Sequence, residues 1–83
     1  MIMRTYDFSN ERAFQKAYGL RYRPDRYNGL EAARIGLTFH VKMHMIVEVD
    51  ENQTEFKAGY YVVCPADASR LERAGYRIVS PFN

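Results

Sequence analysis

The 83 residues hold a single cysteine, Cys64, so neither an internal disulfide nor a cysteine-rich zinc site can form. Long apolar runs are missing as well. None approaches the ~18–20 residues needed to cross a bilayer, so no membrane partner is expected. The opening Met1-Ile2-Met3-Arg4-Thr5-Tyr6-Asp7 has no apolar h-region and no small-residue cleavage site, so it does not read as a signal peptide. Nor does charge of one sign prevail: 12 basic side chains face 10 acidic ones, a net charge of +2. A dedicated duplex-DNA binder would be more basic. There is no internal repeat, no glycine-rich phosphate loop, no serine elbow and no carboxylate pair at a telling spacing. The expectation is a cytoplasmic protein that uses no cofactor and no metal and is not an enzyme.

What is present is apolar enough to fold. With 47% hydrophobic and 14% aromatic residues, the chain is too apolar for disorder and reads as one stand-alone domain over residues 1–83. At this size the core is small and stability is marginal. Phe8, Phe14, Phe39, Phe56, Phe82 and some of the seven tyrosines are expected to supply most of the buried area.

Local patterns give an element order. Residues 2–6 alternate weakly, as a short edge strand would. Asp7 or Ser9 suits a helix N-cap, and Ala13, Phe14, Ala17 and Tyr18 share one face of a helix over 10–18 that Gly19 ends. Residues 20–30 read as irregular or extended, with Pro24 and the Asn28-Gly29 turn signal. Leu30 to Arg34 could be a helical turn or the start of a strand.

The strongest rhythm follows. Ile35, Leu37, Phe39, Val41, Met43, Met45, Val47 and Val49 take every odd position, and only Ile46 breaks the polar even set. Period-2 alternation predicts a strand over 35–49 with one buried and one wet face. Such a strand would run about 50 Å. It must therefore bend at a bulge, with Gly36 the natural place, or reach past its own domain as the rim of a homodimer.

A polar loop at 50–55 leads into a second strand over 56–64, and the two form a hairpin. Pro65 opens a helix whose apolar face is Ala68, Leu71 and Ala74, and Gly75 closes it. Tyr76 to Ser80 is a last strand. The fold class is α+β: an antiparallel or mixed sheet of three or four strands, with two short helices packed on one face, in the order β-α-(loop)-β-β-α-β.

Few residues suggest chemistry. His40 and His44 would converge on a metal if helical, but on a strand they lie ~13 Å apart, with Lys42 between them. They read instead as a His-Lys-His surface patch that gains charge in mildly acid solution. Cys64 reads as a core or boundary thiol. Asp50-x-Asn52-x-Thr54 opens like a calcium loop, but Glu55 stands where the glycine belongs.

Arg21-Tyr22-Arg23-Pro24-Asp25-Arg26-Tyr27 is the most suggestive stretch. Arginine binds carboxylate or phosphate through a fork, and tyrosine offers a stacking face. Nine of the twelve basic residues are arginine. The combination fits a protein hot spot or a single-stranded nucleic acid. In the plainer alternative the tyrosines pack inward and the arginines snorkel to solvent.

The leading expectation is a non-enzymatic protein that occupies a surface of a larger macromolecular complex, as a phage- or mobile-element-encoded inhibitor or adaptor does. Arg21, Tyr22, Arg23, Arg26 and Tyr27 would anchor a protein partner, and His40, Lys42 and His44 would form a second patch. The alternatives are a nucleic-acid-binding accessory that uses the same Arg/Tyr loop, and a small nuclease-like toxin that uses a histidine and an arginine.

Overall fold

The computed structural model describes residues 7–39, 43–52 and 54–80. The expected edge strand at 2–6, the aromatic Phe82 and the patch residues His40 and Lys42 lie outside them. The elements are α1 (Ser9–Tyr18), β1 (Asp25–Tyr27), α2 (Leu30–Leu37), β2 (Met45–Val49), β3 (Gly59–Val63), α3 (Pro65–Arg73) and β4 (Arg77–Ser80). The class is α+β, as expected. No helix among the described residues is long and apolar enough to cross a membrane.

The four strands form one antiparallel sheet in the order β1-β3-β2-β4. The β2–β3 hairpin pairs Met45 with Val63 and Val49 with Gly59. Because every neighbouring pair is antiparallel, β1 runs parallel to β2 with β3 between them, and β3 runs parallel to β4 with β2 between them. Helix α2 connects the first parallel pair and α3 the second. Both connections step the same way across the sheet, yet their strands point in opposite directions. Two crossovers of the same hand must then lie on opposite faces, and they do.

Two expectations are corrected here and a third is narrowed. First, there are three helices, and they cover both faces of the sheet. Phe14 of α1 and Ala68 and Leu71 of α3 pack with Val47, Val49, Tyr61 and Val63, while Ala33 of α2 packs with Ile46, Val62 and Val79 on the other side. Ile46, the exception to the alternation, anchors this second layer. Second, the strand expected over 35–49 spans only Met45–Val49. Ile35, Gly36 and Leu37 are helical, so the extended rim expected for a homodimer is not formed there. Leu30, Ala33 and Leu37 recur at helical spacing and face the second core layer. Third, within 20–30, expected as irregular or extended, Asp25–Tyr27 is extended and pairs with β3 as an edge strand.

Gly36 is therefore no bulge. It lies buried in α2 against the ring of Tyr27, and a Cβ there would overlap the Tyr27 hydroxyl and Cζ. The chain ends α1 as expected, with Gly19 left-handed at φ 64°. Asp7 accepts the Ser9 N–H at 2.9 Å, and this backbone hydrogen bond is the main reason its carboxyl stays below the usual range.

Phe14, fully buried, is the aromatic hub. Its ring centroid lies 4.5 Å from Tyr61, 4.9 Å from Tyr18, 5.3 Å from Phe56 and 5.8 Å from Tyr76. These are the separations at which tilted aromatic pairs attract. Tyr18 and Tyr76 also join hydroxyl to hydroxyl.

Two outcomes follow from this packing. Gly36→Ala should destabilise the fold by about 1–2 kcal/mol, since the overlap with Tyr27 outweighs the helix-propensity gain. In a Tyr27→Ala background the same change should turn stabilising, a sign reversal that urea denaturation of the four variants would show. The second outcome concerns pH. Burial, then the Tyr18 hydrogen bond, pushes the Tyr76 hydroxyl up to about 12 from 10.0. The unfolded chain therefore loses this proton first, and the stabilisation present below about pH 10 drains away as pH rises toward 12. Denaturation midpoints measured from neutral pH to about pH 11 should fall, and Tyr76→Phe should flatten the slope.

Candidate functional site

A cleft of about 560 Å³ opens where the sheet runs out past Val63. One wall is the loop Arg21-Tyr22-Arg23-Pro24. The other is the entry to α3, Cys64-Pro65-Ala66-Asp67, with Phe39 and His44 across the mouth. The floor is the end of β3, Val62 and Val63.

The hairpin register explains part of this grouping. Met45 faces Val63 in the ladder, so His44, just before β2, and Cys64, just after β3, stand one step further on. Pro65 at the first position of α3 turns the chain away from the sheet there.

A buried carboxylate holds the loop. Asp67 is fully buried, and its two oxygens accept the backbone N–H groups of Arg21 at 2.8 Å and Tyr22 at 3.3 Å. Pro24 is buried as well. The Arg23 guanidinium lies 3.9 Å above the Phe8 ring and 3.4 Å from the Asp25 carboxylate. The loop is thus fixed at both ends, and its outermost side chains, Arg21 and Tyr22, project into solvent. Tyr22 is 61% exposed and Phe39 82% exposed. Ordinary packing buries residues of this size, so two such rings at the mouth of one cleft stand out.

The expected site residues separate into three groups. Arg21, Tyr22, Arg23 and His44 come together in the cleft. Arg26 and Tyr27 do not. Arg26 lies on the α1 side of the sheet, opposite Tyr61, and donates to the Ala58 carbonyl at 2.9 Å. Tyr27 faces the other way and packs on the second core layer beside α2. Burial, then the Asp25 charge, raises the Tyr27 hydroxyl above its ordinary value. His40 and Lys42 lie outside the described residues, so the strand-borne patch reduces here to His44. Among the described residues, no group of three or more His, Cys, Asp or Glu side chains could hold a metal ion.

Phe39, Cys64 and Asp67 enter the site without having been expected in it. Phe39, expected in the core, is instead among the most exposed apolar side chains described. Cys64 is half-buried and shares the cleft with His44. Only the hairpin register, which local sequence does not fix, could have brought those two together. Asp67 carried one signal, an acid in the first turn of a helix, but its partners lie 45 and 46 residues away.

Compared with protein-family models, curated proteins and solved structures, the chain matches none.

Removing the Asp67 carboxylate should loosen the loop. Asp67→Ala should cost about 1–3 kcal/mol, the usual range for leaving buried hydrogen-bonding groups without a partner. Asp67→Asn, which keeps one acceptor oxygen, should cost less. Urea denaturation would rank the two. An alanine variant as stable as the parent would show that the loop does not depend on this clamp.

Proposed function

We propose that this chain is a non-enzymatic binding protein that acts by occupying a surface of a larger macromolecular assembly, and that the cleft beside Tyr22 is its contact site. One observation carries the reading: Tyr22 and Phe39 stand exposed at the mouth of a preformed, largely apolar cleft, although aromatic burial is what a domain this small most needs. Exposed aromatics beside arginine are the usual composition of a protein hot spot. Because Asp67 already holds the loop, docking would involve little further ordering.

The partner is better read as protein than as nucleic acid. Of the three loop arginines, Arg26 lies outside the cleft lining, turned to the Ala58 carbonyl, which leaves only Arg21 and Arg23 at the cleft. A phosphate track needs several uncommitted cations in a row. An inhibitor or an adaptor would use the site in the same way, by covering a partner's surface.

A photo-crosslinking amino acid placed at Tyr22, and separately at the exposed Arg12 of α1, tests this in host cells. Position 22 should give a discrete protein adduct that survives nuclease treatment and disappears with Phe39→Ala. Adducts equal at both positions, or adducts lost to nuclease, would overturn the reading.

A further inference from the structure

The lining of the cleft divides by chemistry. Its floor and lower walls are apolar: Val62, Val63, Pro24 and Pro65. Tyr22 and Phe39 extend that apolar surface to the mouth, where Arg21 and Arg23 bring positive charge. The one acid in the lining, Asp67, is buried and already accepts two backbone amides. Arg21 is exposed, and its guanidinium has no ion-pair partner among the described residues. Arg23 has Asp25, but both side chains are about one-third exposed, and such a contact is readily exchanged in water.

Building on the reading of the cleft as a protein-contact site, we infer that its occupant is an acidic peptide segment of the partner. A large apolar side chain enters the cleft that Tyr22 and Phe39 help to line, and neighbouring Asp or Glu carboxylates reach Arg21 and Arg23. Arginine takes a carboxylate through two parallel N–H···O bonds, which fixes the segment's orientation as well as its charge. The apolar anchor removes the exposed rings from water.

The chain's own acids are the nearest competitor. Glu48, Asp50 and Glu51 line a groove of about 360 Å³ at the opposite end of the β2–β3 hairpin. A second copy could bring that end to the cleft, head to tail. The large exposed apolar side chains described are Tyr22, Ile35, Phe39 and Met43, and all four precede β2. The acidic end would therefore match the charge and leave the apolar cleft unfilled. A nucleic acid would offer phosphates to Arg21 and Arg23 but no aliphatic group for the floor.

Panning a phage-displayed random peptide library against the folded full chain tests the inference. Cys64 is the chain's sole thiol and lines the cleft, so a peptide seated there shields it from maleimide. Enriched peptides should carry Asp or Glu beside a large apolar residue and should protect Cys64. They should bind Arg21→Glu about tenfold more weakly, with an unchanged melting profile showing that the variant is folded. Panning on Arg21→Glu itself should keep the apolar residue and select fewer acids.

Neutral or basic peptides that protect Cys64 would overturn the acidic chemistry while leaving the cleft as a contact site. No enrichment, or enriched peptides indifferent to Tyr22→Ala, would overturn the inference. So would a single-stranded DNA oligonucleotide that protects Cys64 at lower concentration than any peptide. Concentration-dependent self-association abolished by Glu51→Lys would overturn it in favour of a second copy.

Discussion

The antiparallel pairing of Met45–Val49 with Gly59–Val63 is the constraint on which the rest of the structure depends. Both outer strands attach to this hairpin, β1 to β3 and β4 to β2. Both layers of helix rest on it as well, because consecutive residues point to opposite faces. Ile46 and Val62 face α2, while Val47, Tyr61 and Val63 face α1 and α3. Two short strands thus carry apolar residues on both sides, which is why their cores read as near-continuous apolar runs. The two crossovers then take opposite faces by handedness alone, and an 83-residue chain gains a second buried layer without needing a larger sheet.

Polar side chains do what a larger core would otherwise do for the loops. Asn10 ties α1 to the chain entering β3, accepting the Lys57 N–H at 3.0 Å and donating to the Tyr61 hydroxyl at 2.9 Å. Tyr61 in turn donates to the Lys57 carbonyl at 2.6 Å. Asp67 plays the same part at the other end of the hairpin for the loop 21–24. Among the described residues, no buried side-chain nitrogen or oxygen lacks a hydrogen-bond partner, the condition under which buried polar groups specify a geometry rather than weaken it. The cleft has a defined shape because one of its walls is hydrogen-bonded to the helix that forms the other.

Legibility in the sequence followed the range of the physics involved. Local signals were readable: the left-handed Gly19, Pro65 at a helix start, and the β2–β3 hairpin. The alternation over 35–49 was only half strand. Its later part, 45–49, alternates because a sheet face is buried there. In the earlier part, Ile35 and Phe39 are apolar and exposed, so their period reports no burial at all. Leu30, Ala33 and Leu37 carried a competing helical period, and alternation over the longer window masked it. In the Arg/Tyr loop, residues 21–23 were legible as a surface feature. Arg26 and Tyr27 were not, because their fate depended on joining β3 as an edge strand. Phe39, His44, Cys64 and Asp67 came together only through strand register and contacts distant in sequence.

The misread segment and the cleft are connected. Thr38 and Phe39 continue the helical turn of α2, with the Phe39 N–H donating to the Gly36 carbonyl at 3.1 Å. Ile35 within α2 and Phe39 just past its end are both exposed. Phe39 lines the cleft, and Ile35, four residues earlier in α2, is 59% exposed. A stable protein contact covers about 800 Å² on each partner, more than one side chain seated in a cleft can account for. On the proposed reading, exposed apolar side chains outside the cleft, Ile35 among them, would have to supply the remainder. The same reading would account for Ile35 and Phe39, apolar at odd positions yet left uncovered by the fold.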